Sequence, residues 1–186
     1  YKINGIFSFT VDGFPILGEW PKIKGFWSAE AVWITHAGGI GKIMAQWLAY
    51  GDPNIDTHEM DVSRFHPHNM NKKYIDIRAA QNYVEVYDII HPLKQSKQLR
   101  NIKLSPFNKN QQELNANFIE SAGWERPNWF DSNKKLLKNF DISPFLRTGW
   151  ENQEWSPIAI AEHLQTREHG GLFDLTSFTK IEVKGK

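Results

Sequence analysis

The chain has 186 residues, 40 % hydrophobic and 13 % aromatic, enough for one ordinary domain or parts of two. A formal net charge of +1 gives no reason to expect nucleic acid or an anionic membrane as partner, and no apolar run approaches the roughly 18 residues of a spanning helix. The absence of cysteine rules out disulfides, thiolate metal sites and cysteine nucleophiles, a composition compatible with the expected cytoplasmic location.

Residues 1–34 read as β-rich. Ile6, Phe7, Phe9 and Val11 lead to Asp12-Gly13, a turn signal, and Pro15 re-enters "PILG". The stretch "GFWSAEAVWI" (25–34) reads as an apolar strand buried on both faces. A helix follows the glycines, because Ile40, Ile43, Met44, Trp47 and Leu48 recur at helical spacing as one stripe. Gly51 and Pro53 stop it.

Residues 52–73 are polar and loop-like, and a second helix is expected over 72–90, with Tyr74, Ile77, Val84 and Ile90 as its apolar positions. A third is expected over 108–122, with Leu114, Phe118 and Ile119 inward and Gly123 ending it. "GWERPNWF" (123–130) is aromatic and broken by proline. Ser156-Pro157 pairs an N-cap with a proline at the first helical position, opening a helix to about His169 that ends at Gly170-Gly171. The closing "LFDLTSFTKIEV" reads as a turn into a strand. With strand-like text at both ends, starting at Tyr1 and finishing at "TKIEVKGK", the chain is expected to be a piece of a longer polypeptide.

The segment "THAGGIGK" (35–42) raises the question of a ligand loop. A nucleotide-hydrolase phosphate loop requires a glycine where His36 stands and a hydroxyl where Ile43 stands. The dinucleotide fingerprint also fails, since Met44 occupies the place of its third glycine. Small residues at 37–39 let backbone approach a ligand, and a helix N-terminus favours an anion or a carbonyl gaining negative charge. Tight packing of helix on strand explains the same glycines. His66 and His68 form "FHPH" without a third metal ligand at a recognisable spacing, so no metal site is expected. Arg126, between two tryptophans, suits stacking or an ion pair with Glu125 or another acid, and Asp174 suits capping a turn. His91, His163 and His169 lie at helix ends. Composition and spacing alone give an α/β fragment with a candidate ligand loop, and the fold class expected is α+β, derived from that α/β arrangement.

"NGIFSFTVDGFPILGE" and "GFWSAEAVWITHAGGIGKIMAQWL" together resemble the C-terminal end of the flavin domain in the D-amino-acid-oxidase-like superfamily. The nearer likeness is to dimethylglycine oxidase, dimethylglycine dehydrogenase and sarcosine dehydrogenase. "QNYVEVYDIIHPL" (81–93), "LSPF" (104–107) and "SAGWERPNWF" (121–130) resemble that family's central domain, and "TREHGGLFDLTSFTKIEVKG" (166–185) the opening of its folate-binding, aminomethyltransferase-like half. The resemblance implies four segments: 1–62 as the end of the FAD domain, 63–130 as the central domain, 131–156 as a linker and 157–186 as the start of the folate domain.

The same resemblance implies that Val32, Trp33, Ile34, Thr35 and His36 run beneath the flavin ring, with Gly38 and Gly39 letting backbone close in. Thr10, Asp12, Gly13 and Pro15, the T-x-D-G-x-P motif, would border the same site. It implies FAD as cofactor and an N-methylated glycine as substrate, with oxygen or an electron-transfer protein as acceptor. Tetrahydrofolate would take the one-carbon unit, or formaldehyde would be released. No catalytic residue is expected within these 186 residues. The rival expectation is a non-catalytic relative of the same domain order, of the pyruvate dehydrogenase phosphatase regulatory type.

Overall fold

In a computed structural model, which describes Lys2 and Gly5–Gly185, the chain forms two compact units, 1–89 and 90–186. Each holds one small antiparallel sheet with helices around it, an α+β arrangement.

In the first unit, strands β1 (Ile16–Glu19) and β2 (Trp27–Glu30) pair from Ile16–Glu30 to Glu19–Trp27. Helix α1 (Ala37–Tyr50) lays Ile40, Ile43 and Met44 over them, around Leu17, which is 0 % exposed. Trp27, Val32, Trp47 and Met60 close the sides of this cluster. The Trp47 ring comes so near Gly18 that a Cβ there would sit 3.0 Å from it, on a residue already at φ +106°. Glycine is therefore required at 18 by packing and by backbone together. Gly51, left-handed at φ +76°, ends α1 by returning its N–H to the Trp47 carbonyl. Helix α2 (Lys72–Glu85) starts where the Asn71 side chain accepts from the Lys73 and Tyr74 N–H groups.

The second unit carries α3 (Asn108–Glu113), the hairpin β3 (Ala116–Ser121) and β4 (Trp124–Phe130), and α4 (Pro157–Glu168). Ser156 caps α4 by accepting from the Ile158 N–H, with Pro157 at the first turn, as its sequence predicts. Glu162 on α4 accepts from the Phe130 N–H at 2.9 Å and from Asn133 at 2.8 Å. These bonds hold the helix against the end of β4 and the 3₁₀ run 131–138.

Several expected elements take another form. The helix expected over 108–122 stops at Glu113. Asn115 turns left-handed at φ +53°, and 116–121 becomes a strand. Ala122 and Gly123, at φ +51° and +84°, form the two-residue turn of a hairpin, so Gly123 closes no helix. Pro127 sits in β4 beside a bulge opposite Asn117 and Phe118, where a missing N–H interrupts little. The buried strand expected over 25–34 is only Trp27–Glu30, ended by Ala31 at φ +53°, and Phe26 is exposed. Helix α2 ends at Glu85, and Val84 and Ile90 face outward, as does Leu48 on α1.

Among the described residues no strand forms over 5–11 or 181–183, where Ile6, Phe7, Ile181 and Val183 are exposed without a pairing edge. The part of the N-terminal strand reading on Tyr1, Ile3 and Asn4, and Lys186 at the other end, lie outside the described residues. The compact units divide at 89/90, whereas the boundaries expected from sequence fall at 62, 130 and 156. Cross-ties explain the difference: Arg64 bonds to Asp12, and Asn82 to the Thr10 carbonyl, so 63–85 folds with what precedes it.

Candidate functional site

Two loops of the first unit carry the residues singled out by sequence. The first, 10–15, is a self-bonded turn. The Thr10 hydroxyl lies 2.8 Å from the Phe14 carbonyl and 3.0 Å from Asp12 Oδ1, with one proton to serve both. The Phe14 N–H also donates to Asp12 Oδ1, at 3.2 Å. Gly13 takes φ +80°, the left-handed position the turn needs. Thr10 and Pro15 are buried, and Gly13 is exposed.

Arg64 anchors this turn from a distant part of the chain. Its Nε donates to Asp12 Oδ2 at 2.7 Å and its Nη2 to Asp12 Oδ1 at 3.0 Å. Burial alone would raise the Asp12 carboxyl. The Arg64 guanidinium outweighs that, with help from the Phe14 N–H and Thr10, and holds it below its ordinary value of 3.8. Asp12 therefore stays ionised, and donors meet both of its oxygens.

The second loop is the junction from strand text to α1. Val32 and Trp33 are half-buried, Val32 packing on the Leu17 cluster. Ile34, Thr35 and His36 form a 3₁₀ turn that is wholly exposed, Ile34 at 96 %. His36 precedes α1 without its side chain capping the helix, and the first turn carries no acid. Gly38 and Gly39 are exposed, and a Cβ added to either, or to Gly41, meets nothing within 4 Å. Tight helix-on-strand packing is thus not what these three glycines serve within the described chain. Each costs the helix roughly 0.5–1 kcal/mol relative to alanine.

The two loops meet through aromatic contacts. Phe9 lies edge-on to Trp33 with centroids 5.7 Å apart, and edge-on to Tyr83 at 5.4 Å. Asn82, beside Tyr83 on α2, donates to the Thr10 carbonyl at 2.8 Å. The T-x-D-G-x-P turn and the stretch leading into α1 are thus linked through Phe9 and Trp33, with α2 braced against that link.

Other candidates resolve into structural roles. The His66 and His68 rings stack at 5.9 Å, and His68 lies edge-on to Tyr74. Among the described residues no three His, Asp or Glu side chains could hold a metal ion together. Glu125, 4 % exposed, does not pair with Arg126. It accepts from Arg100 through both oxygens, one bond being Nε to Oε1 at 2.8 Å, and from the Asn101 N–H at 2.7 Å. Burial raises the Glu125 carboxyl, but these donors together hold it below its ordinary 4.5. Arg126 instead stacks over Phe178, 5.1 Å from the ring centroid.

Asp174 does cap a turn, accepting from the Thr176 N–H and hydroxyl, and from Gln111 at 2.8 Å. Against the opposing effect of burial, its hydrogen bonds lower it to about 2. His91 accepts the Leu93 N–H and packs on Trp150, and His169 packs edge-on to Phe140. Arg64 and Arg100 escape sequence reasoning because their acids stand 52 and 25 residues away.

Comparison with known proteins defines the class. Residues 50–105 match the FAD dependent oxidoreductase central domain, and residues 107–186 match the GCVT N-terminal domain. The chain is 32 % identical to 4-methylaminobutanoate oxidase (formaldehyde-forming) of Paenarthrobacter nicotinovorans, over 98 % of this chain and 22 % of that protein. It is 32 % identical to mitochondrial sarcosine dehydrogenase of Homo sapiens over 66 % of the chain and 14 % of the relative. It is also 28 % identical to the mitochondrial pyruvate dehydrogenase phosphatase regulatory subunit of Mus musculus, over 95 % of the chain and 20 % of that protein. The chain thus spans between 14 % and 22 % of the length of these relatives. It carries an FAD dependent oxidoreductase central domain followed by a GCVT N-terminal domain, and it is similar to sarcosine and dimethylglycine dehydrogenases.

Proposed function

We propose that this chain is one wall of the flavin site, with the adjoining central segment, of a longer enzyme that oxidatively demethylates N-methylated glycines or closely related N-methyl amino acids. The observation that carries the proposal is the group of exposed glycines at the start of α1. Gly38 and Gly39 face open space, so their cost to the helix has no internal compensation and suits the close approach of a flat ligand.

The residues present fit such a group. Ile34 offers an exposed apolar surface, the glycines leave a cradle that a side chain would occupy, and the acid-free N-terminus of α1 favours negative charge. In this reading Val32, Trp33, Ile34, Thr35 and His36 would lie beneath the ring, with Gly38 and Gly39 at its polar edge. Thr10, Asp12, Gly13 and Pro15 would border it as a fixed turn, since the Thr10 hydroxyl and carbonyl and the Asp12 carboxylate are already engaged. FAD, when bound, supplies acceptance of a hydride from the N-methyl amine. The chain's own part is to exclude water along one face and to set a positive dipole end there.

The names of the two relatives at 32 % identity, an oxidase of 4-methylaminobutanoate and a sarcosine dehydrogenase, support an N-methyl amino acid as substrate class. The GCVT match over 107–186 supports tetrahydrofolate as acceptor of the one-carbon unit. Electrons would pass to oxygen or to an electron-transfer protein. The test is expression of the full-length polypeptide, its flavin absorbance, and anaerobic addition of dimethylglycine, sarcosine or 4-methylaminobutanoate. Bleaching by at least one amine is expected. A flavin that none of them reduces overturns the assignment. The regulatory relative makes the second reading concrete, and it predicts a polypeptide that retains its fold without that reduction.

A further inference from the structure

We propose that Arg64 is a positioning residue for the flavin wall: lying within the central-domain segment, it sets the T-x-D-G-x-P turn that precedes that segment. The proposal rests on the reading of 10–15 and 32–39 as a flavin site.

The guanidinium has five N–H donors and meets five acceptors. Nε reaches Asp12 Oδ2 at 2.7 Å, and Nη2 reaches Asp12 Oδ1 at 3.0 Å and the Phe14 carbonyl at 3.2 Å. Nη1 reaches the Met60 carbonyl at 2.9 Å and the Asp61 carbonyl at 3.1 Å. The plane also stacks on its neighbour Phe65, 4.1 Å from the ring centroid. Only 12 % of the side chain is exposed. No lysine could reproduce this fork, because its single ammonium cannot span both oxygens of Asp12 and three carbonyls in one plane.

The connection to the glycine junction is direct. Met60, one of the carbonyls Arg64 holds, packs on the Leu17 cluster that also receives Val32 and Ile40 of the junction and α1. On the other side, the turn continues through Thr10 to Phe9, which touches Trp33. Arg64 thus ties the turn to both ends of the 32–40 segment. Asp12 is its handle: with both oxygens occupied, Asp12 fixes the turn's shape.

The test uses the full-length polypeptide as wild type, Arg64→Gln and Arg64→Lys. In flavin-free protein, chymotryptic cleavage after Phe9, at the entrance to the turn, should quicken about tenfold in Arg64→Gln as the turn is released. In flavin-loaded protein the same variant should hold flavin about tenfold more weakly and shift its midpoint potential, with Arg64→Lys between it and wild type. Should Arg64→Gln fail to fold, Arg64→Lys serves all three readouts. Unchanged cleavage overturns the proposal. Faster cleavage with retention and potential both unchanged also overturns it, leaving Arg64 a clamp without influence on the flavin. A wild type that holds no flavin defeats the underlying flavin reading instead, and the cleavage result then stands by itself.

Discussion

Replacing Glu125 by glutamine should destabilise the second unit sharply. Glutamine keeps the shape but loses the charge, and its amide presents N–H groups to Arg100, which can only donate. Breaking a buried ion pair from one side costs about 3–5 kcal/mol. Here the Arg100 side chain is 25 % exposed and recovers some hydration, so about 2–4 kcal/mol is expected. Arg100 would keep its bond to the Phe118 carbonyl, at 3.0 Å, while the Asn101 N–H could still donate to the remaining amide oxygen.

The pH dependence has a definite sign. The folded Glu125 carboxyl lies below its ordinary 4.5, so its contribution is complete above that value and is lost as pH falls through the folded one. The gap between wild type and Glu125→Gln should be full at pH 7 and narrow below pH 4.5. Urea unfolding followed by tryptophan fluorescence at several pH values measures it. A difference under about 0.5 kcal/mol at pH 7, or a gap that widens with acid, would refute the reasoning.

Ser156→Ala should cost about 1 kcal/mol by removing the cap of α4, read as a lower urea midpoint at unchanged slope. Asp174→Asn should abolish the part of acid destabilisation that wild type shows between its ordinary 3.8 and its folded value of about 2, visible in an acid titration of the fold. Gly39→Ala should raise flavin-free stability by about 0.5–1 kcal/mol, because its methyl meets open space on a helix, while flavin content of the full-length protein falls. Flavin content unchanged from wild type in both Gly39→Ala and the bulkier Gly39→Val would remove the glycines from the account.

What could be read from the sequence was what neighbouring residues encode. The stripe of α1 from Ile40 to Trp47, the Gly51 stop and the Ser156-Pro157 start depend on residues within a turn or two, and each stands where its pattern says, while Leu48 turns outward. The hairpin at 116–130 was hidden because Leu114, Phe118 and Ile119 fit a helical face as well as a strand, and Gly123 suits a helix end as well as a hairpin turn. The choice between them is made by pairing with β4, which no local window contains. The same limit hid Arg64 and Arg100, whose acids are distant in the chain. The glycine junction was visible as a pattern. Only the empty space around Gly38 and Gly39 separates close packing from room for a ligand.

The most direct test of that junction as a flavin wall is hydrogen exchange in the full-length polypeptide, compared with and without FAD. The account predicts slower exchange on FAD binding in peptides covering 10–15 and 32–41, with little change in the hairpin at 116–130. Protection confined to other parts of the polypeptide, with both loops exchanging as fast as in the flavin-free protein, would contradict it.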